Sequence, residues 1–262
     1  MFHIVLPEGV EDTLALVRFR LYEKLKVFEV ARKSQKINQT HLILVKSVMI
    51  SNNFKHVNNW VFDLDNTLYS PKVCLFDQIE KKMTDWISQK LSIPREAADI
   101  LRSDYWKKYG TSLAGLMREH QIEPEEYLSY VHDICFDNLV KNPELKNLIE
   151  NLPGRKIVYT NGTAPYAKNV LSALGLLDVF SCIYGVEDAN YNPKPEYKAY
   201  ELVFKKDGLN PLTSAMFEDE PRNLKVPHQL GMKTIFVSPE SKDEHYIDFH
   251  TSKLSGFLKH LI

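Results

Sequence analysis

The sequence predicts a doubly wound α/β protein, a parallel sheet with helices on both faces, interrupted after its first strand by a helical insertion. Three observations carry this reading. Short apolar runs bounded by turn residues alternate with helical patterns from residue 59 onward, most of these runs end in polar residues, and the strand pattern vanishes between Leu75 and Pro143.

Residues 1–58 precede that alternation. Asp12 to Lys33 reads as an amphipathic helix and His41 to Met49 as an extra strand, and neither carries recognisable chemistry. Nine Lys/Arg stand against five Asp/Glu over residues 1–57, and those acids speak against a transit peptide. Met49 is a candidate alternative start. The first core strand is Trp60-Val61-Phe62, which leads into Asp63-Leu64-Asp65 and emits two acidic side chains two residues apart, hence on one face.

Helical stretches follow at 76–91, 95–109, 112–120 and 124–136. We read residues 76–142 as a helical cap, and 59–75 with 143–262 as the α/β core. Both ends of the insertion leave the sheet beside the acidic pair, so a lid over that spot is its natural use. In the core, Lys156-Ile157-Val158-Tyr159 is a strand ending in Thr160-Asn161-Gly162. A helix follows with Thr163 as N-cap and Gly175 as its stop. Val179 to Tyr184, Ala215 to Phe217 and Thr234 to Val237 are further strands, while Pro195 and Pro221 sit where first helical turns begin. Ligands of such sheets bind beyond the carboxyl ends of the strands, where Asp63, Asp65, Thr160, Lys194 and Asp219 fall.

Bulk properties narrow the function. Charged residues make up 26% and hydrophobic residues 44% of 262, ordinary for a globular chain, and no stretch is apolar enough to span a bilayer. A formal net charge of −1 supplies no field to gather nucleic acid polymers or anionic membrane. Cys74, Cys135 and Cys182 are widely spaced and show no zinc pattern, which fits a reducing cytoplasm.

Two carboxylates crowded at one strand end disfavour joint ionisation unless a cation lies between them or one keeps its proton. Phosphoryl transfer through a covalent intermediate uses that split: an ionised Asp63 to attack phosphorus and a protonated Asp65 to serve the leaving oxygen. Mg²⁺ takes oxygen ligands and keeps substrate phosphate in its shell, so Glu218 and Asp219 at another strand end are candidate co-ligands, Asp219 first. The transferring group spreads negative charge over three oxygens and needs fixed donors. Thr160 and the amides after it precede a helix N-terminus, and Lys194 is pinned between Pro193 and Pro195.

Taken together these residues resemble the haloacid dehalogenase-like phosphohydrolase superfamily over about residues 59–240. The first motif appears as Asp63-Leu64-Asp65-Asn66-Thr67 after its apolar run, the second as the run ending in Thr160, the third as Lys194 and the fourth as Glu218-Asp219. The resemblance implies an aspartyl-phosphate intermediate, a metal held by Asp63, Asp219 and the Asp65 carbonyl, and a C1-type cap. Within the superfamily the chain looks most like the pyrimidine 5′-nucleotidases, on Tyr105 to Leu116, on Glu123-Pro124-Glu125-Glu126-Tyr127 and on the Asp65-Asn66-Thr67-Leu68-Tyr69 form of the first motif. That implies a nucleoside monophosphate such as UMP or CMP as substrate, with Asn161, Tyr109, Thr111 and Ser112 joining Thr160 and Lys194 in binding it.

The alternatives are a phosphatase or phosphomutase for phosphoglycolate or a sugar phosphate, a 2-haloacid dehalogenase, and an inactive binding module. A dehalogenase has no leaving-group proton to supply, so Asp65 counts against it. Glu220 reads as a turn residue, Asn223 equally as support for the Glu218-Asp219 loop or as helix surface, and Arg118 as a possible cap contact.

Overall fold

The computed structural model describes residues 39–262, and the expected helix over Asp12 to Lys33 lies outside them. The chain divides into two compact units, Met1–Ile50 and Ser51–Ile262, and the second holds the sheet and the insertion. Helix α1 (Gln39–Phe54) replaces the strand expected over His41 to Met49. A strand needs a partner's edge for its amides, whereas a helix satisfies them locally, and a mixed run of Leu, Ile and Val leaves periodicity unable to separate the two.

Among the described residues the sheet has six strands, all parallel, in the order β3-β2-β1-β4-β5-β6. β1 (Asn59–Phe62) lies between β2 (Arg155–Tyr159) and β4 (Ser214–Glu218), with β3 (Cys182–Tyr184) outside β2 and β5 (Lys233–Val237) and β6 (Phe249–Thr251) outside β4. β6, a three-residue edge, has no counterpart in the sequence reading. The doubly wound expectation holds, and the chain reverses its direction of travel between β1 and β4.

Central strands of a parallel sheet are covered on both faces, which is why β1 is apolar at Trp60, Val61 and Phe62 in succession, all buried. Phe62 stacks on Phe217 of β4 at 4.7 Å between ring centres. Each such buried ring contributes about 2–3 kcal/mol of transfer free energy. In this register Phe62 is level with Val158 and Phe217, so the ends of β1, β2 and β4 coincide. Asp63 and Asp65 lie just past the strand rather than on it. The Asp63 N–H still donates to Phe217 O at 2.9 Å, and Asn66 then turns the chain at φ 60°, a left-handed conformation that Asn tolerates better than most residues.

The insertion comprises α2 (Leu75–Leu91), α3 (Arg95–Tyr109), α4 (Ser112–His120) and α5 (Pro124–Val131). α2 turns Leu75, Ile79, Trp86 and Ile87 inward, and α4 starts where the Thr111 side chain accepts the Ala114 N–H at 3.2 Å. The helix expected to reach residue 136 stops at Val131. The Gln78 side chain binds both the N–H and the carbonyl of Cys135, at 3.2 and 3.0 Å, and holds that stretch as a return loop.

In the core, α6 (Pro143–Glu150) leads into β2. α7 (Ala164–Leu174) is capped by Thr163 and closed by Gly175 at φ 69°, as expected. α8 (Tyr197–Asp207) begins two residues after Pro195, and Pro221 opens a single 3₁₀ turn ahead of α9 (Lys225–Gln229). α10 (Leu254–Leu258) follows β6. Among the described residues no helix is long and apolar enough to cross a membrane, and the three cysteines are free.

Candidate active site

Strand ends that coincide deliver their following residues to one place. The carboxyl edge of β1, β2 and β4 and the facing helices of the insertion enclose a cavity of about 390 Å³. Asp63, Asp65, Thr160, Asn161, Lys194, Glu218 and Asp219 line it from the sheet, and Thr111 and Ser112 from the insertion.

Lys194 is the hub. Its Nζ donates to Asp63 Oδ1 and Glu218 Oε2, both at 2.7 Å, and to the Tyr159 carbonyl at 3.0 Å. The side chain is only 1% exposed. Burial by itself would lower the ammonium's pKa, but the charges of Asp63 and Glu218 outweigh it and hold the pKa above its ordinary value, so the lysine stays charged. Asn161 fixes the backbone beneath it: its Oδ1 accepts the Lys194 N–H at 2.8 Å and its Nδ2 donates to the Lys194 carbonyl at 3.1 Å. The side chain expected to touch substrate is thus spent on positioning the lysine. Gly110 of the insertion closes over the same stretch; a Cβ there would stand 3.0 Å from the Lys194 carbonyl, and its φ of 89° already favours glycine.

Asp65 Oδ1 accepts from two phenols, Tyr69 at 2.5 Å and Tyr166 at 2.6 Å. Burial, then the charge of Asp63, pushes this carboxyl up to about 6 against those hydrogen bonds and the pull of Lys194. Both phenols are raised above their ordinary range, first by burial and then by Asp65, and remain donors. Both phenols thus bond the same oxygen, Oδ1.

Oxygens of Asp63, Glu218 and Asp219 all lie within 4.8 Å of one another, a cluster of hard donors suited to a divalent cation. Both oxygens of Glu218 are already engaged: Oε2 by Lys194, Oε1 by the Glu220 N–H at 3.2 Å and Asn223 Nδ2 at 3.1 Å. Asn223 therefore supports this loop. Burial followed by the charge of Asp63 pushes both Glu218 and Asp219 up. Four carboxylates face one ammonium here, and a divalent cation among them would reverse those shifts.

Thr160 is buried, and its Oγ1 accepts the Gly162 N–H at 2.9 Å at the start of the loop into α7. Thr111 and Ser112 reach the cavity with their hydroxyls in structural use, the former as helix cap and the latter donating to the Arg102 carbonyl at 2.9 Å. Tyr109 does not reach it. Its hydroxyl bonds Glu119 and its ring packs under Lys108 and Arg118. On α3 the helical repeat puts Ser103, Trp106 and Gly110 on the cavity face and Tyr105 with Tyr109 on another. Arg118 instead pairs with Glu196 at 2.6 Å.

Several contributors escaped the sequence reading. Tyr69 is four residues beyond Asp65, in the turn that follows it, and Tyr166 is in the first turn after the Thr160 loop, a closeness in sequence that could have flagged both. Arg222, three residues past Asp219, lies over Trp106 at 4.1 Å and donates to the carbonyls of Trp106 and Lys107 at 3.4 and 3.5 Å, tying the acidic loop to the insertion. His132 stacks on Tyr166 at 4.4 Å, and burial lowers it to about 4.

Fold and rim together define a doubly wound α/β protein with a carboxylate–lysine centre at its topological switch point. The chain belongs to the haloacid dehalogenase-like hydrolase family, whose sequence profile matches residues 60–237. It is 27% identical over 192 residues to phosphate metabolism protein 8 of Saccharomyces cerevisiae, an alignment covering 65% of this chain and 58% of that relative's length. Its fold is similar to the HAD phosphatase from Thermococcus onnurineus, with TM-score 0.54 at 20% identity over 78% of this chain and 98% of that one. It is nearly as similar to the L-2-haloacid dehalogenase from Xanthobacter autotrophicus, with TM-score 0.51 at 16% identity over 78% and 97%. Likeness this distant shows the fold alone, so the choice between these chemistries falls to the side chains.

Proposed function

We propose that this hydrolase is a Mg²⁺-dependent phosphatase that cleaves phosphate monoesters through an aspartyl-phosphate on Asp63, with pyrimidine nucleoside 5′-monophosphates as its substrates. The observation that carries the reading is the second acid: Asp65 lines the cavity with Asp63, pinned at one oxygen and pushed up to about 6. A dehalogenase nucleophile needs no proton donor beside it. An ester oxygen leaving phosphorus does.

In this mechanism Asp63 attacks phosphorus, forming a P–O bond as the bond to the alcohol oxygen breaks, and Asp65 gives that oxygen its proton. Asp65 then takes a proton from the water that attacks phosphorus and releases phosphate, restoring Asp63. Lys194 pairs with Asp63 at 2.7 Å and offsets charge on the transferring group, while Thr160 and the loop before α7 present donors to its oxygens. Asp63, Asp219 and the Asp65 carbonyl would hold Mg²⁺, which would supply neutralising charge to the phosphate, while Glu218 anchors the lysine beside them. The pyrimidine preference rests on the resemblance of the insertion to that group.

A phosphate-release screen across UMP, CMP, purine nucleotides, ribose 5-phosphate and phosphoglycolate tests the assignment. Pyrimidine nucleotides should lead, chelator should stop turnover with Mg²⁺ restoring it, and Asp63→Asn should show none. Best turnover of phosphoglycolate would transfer the assignment to small-metabolite phosphatases, and full activity of Asp63→Asn would end it.

A further inference from the structure

His132 stands where the insertion begins its return to the core. It follows the last residue of α5, with its N–H still donating to the Leu128 carbonyl at 3.1 Å, and it lines the cavity. The phosphoryl chemistry assigns it nothing. Burial lowers its ring to about 4, so at neutral pH it is an uncharged imidazole.

Two contacts tie this residue to the start of α7. Its ring lies nearly parallel to that of Tyr166, at 11° and 4.4 Å between centres, and its Nδ1 is 3.2 Å from Thr163 Oγ1, which accepts the Tyr166 N–H at 3.3 Å. Gly162 leaves room for the same phenol, since a Cβ there would stand 2.9 Å from Tyr166 Cδ1, and Phe136 of the return loop adds a second ring at 6.2 Å. Packed in this way, Tyr166 is 2% exposed, and its hydroxyl donates to Asp65 Oδ1 at 2.6 Å. Tyr69, the other donor to that oxygen, comes from the core chain four residues beyond Asp65, whereas the Tyr166 branch leads to the insertion. A short hydrogen bond from a fixed phenol restricts how the carboxyl can turn, and a reacting group misplaced by about 1 Å can lose about 100-fold in rate.

We infer that His132 is a positioning residue for the acid: stacked on Tyr166, its ring fixes the phenol that orients Asp65, so proton delivery to the leaving oxygen depends on a side chain of the insertion. This rests on the phosphatase reading, in which Asp65 protonates the departing alcohol. The dependence is selective. An ester whose alcohol departs readily as an anion needs little from Asp65, while one with a poor leaving group needs a well-placed proton.

The test measures kcat/KM, which covers the steps through departure of the alcohol, in the full chain with Mg²⁺. The probes are p-nitrophenyl phosphate, whose phenolate leaves readily, and the alkyl ester ranked first by the phosphate-release screen. In His132→Leu, which fills the space without a flat ring, we expect a loss of about 10–100-fold on the alkyl ester and no more than about 3-fold on the aryl ester; His132→Phe should keep both within about 3-fold. Tyr166→Phe keeps the stack and removes the donor, so it should show the same selectivity, and it carries the test if His132→Leu does not fold. Adding His132→Leu to it should cost little more. Equal losses on the two esters, no selective loss in Tyr166→Phe or His132→Leu, or a loss that His132→Phe does not restore would overturn the role of His132, with both esters still cleaved by the unaltered protein. An unaltered protein that cleaves neither ester would reject the phosphatase reading, and this inference with it.

Discussion

The sheet rim and the insertion wall of the cavity treat polar groups in opposite ways. At the rim, Lys194, Asp63 and Glu218 form pairs whose side chains are 1–8% exposed, and Lys194 and Glu218 are further tied to a backbone carbonyl and a side-chain amide. In the insertion the charges are less deeply buried, as with Lys90–Glu126 at 40 and 63% exposure, and the cavity side sets apolar groups beside the Arg102–Glu80 pair, at 16 and 43% exposure. The contrast teaches that the rim cannot lose a charge without stranding another, whereas the insertion can change a side chain and alter only what fits.

The sharpest break would come at the hub. Lys194→Met strands two buried carboxylates and should cost about 3–5 kcal/mol of stability and essentially all turnover, read by chemical denaturation and phosphate release. A loss below about 1 kcal/mol would mean that the rim is far wetter than its burial indicates. Next comes Asp65→Asn, which keeps an acceptor for Tyr69 and Tyr166 but removes the proton shuttle. Turnover should fall about 10²–10⁴-fold with little change in stability, and an equal fall in both would assign Asp65 to the scaffold.

His132 sharpens the comparison from the insertion's side. Its pKa is about 4 folded, lowered by burial, against about 6.5 unfolded, so the unfolded chain takes up the proton first as pH falls. The stability it supports is therefore intact above about 6.5 and is lost progressively as pH drops toward 4. For this half-buried ring the loss amounts to about 1–2 kcal/mol between pH 7 and pH 5. The raised carboxyls at the rim titrate over the same range in both proteins, so the increment should appear as the difference in pH dependence between the unaltered protein and His132→Phe; the same pH dependence in both would show that the ring is wetter than its stacking on Tyr166 implies. The smallest effect is expected at the surface, where Lys90→Ala should leave the unfolding midpoint unchanged because exposed ion pairs contribute little. A clear drop would blur the distinction between the two regions.

Much of the rim was legible before any coordinates, because each of its residues follows a short apolar run or a proline-bounded turn that marks where a strand ends or a helix starts. Asp63, Thr160 and Glu218 are of this kind. The insertion was not legible in the same way. Helical periodicity tells which residues share a face, but not which face turns to the cavity; so Tyr109 was expected to reach substrate when the neighbouring face, with Ser103, Trp106 and Gly110, lines the cavity. His41 to Met49 failed for a related reason, since an apolar run suits helix or strand until a partner edge is present or absent.

What the residues determined by themselves is the alternation of strands and helices and the kinds of side chain that chemistry would need, because these follow from local periodicity and from the functional groups. Tertiary structure alone decided who meets whom. Lys194 finds Asp63 across 131 residues of chain, and Asp65 meets Tyr166 across 101. Such pairings depend on the register of strands and the packing of helices, long-range properties that no local pattern encodes.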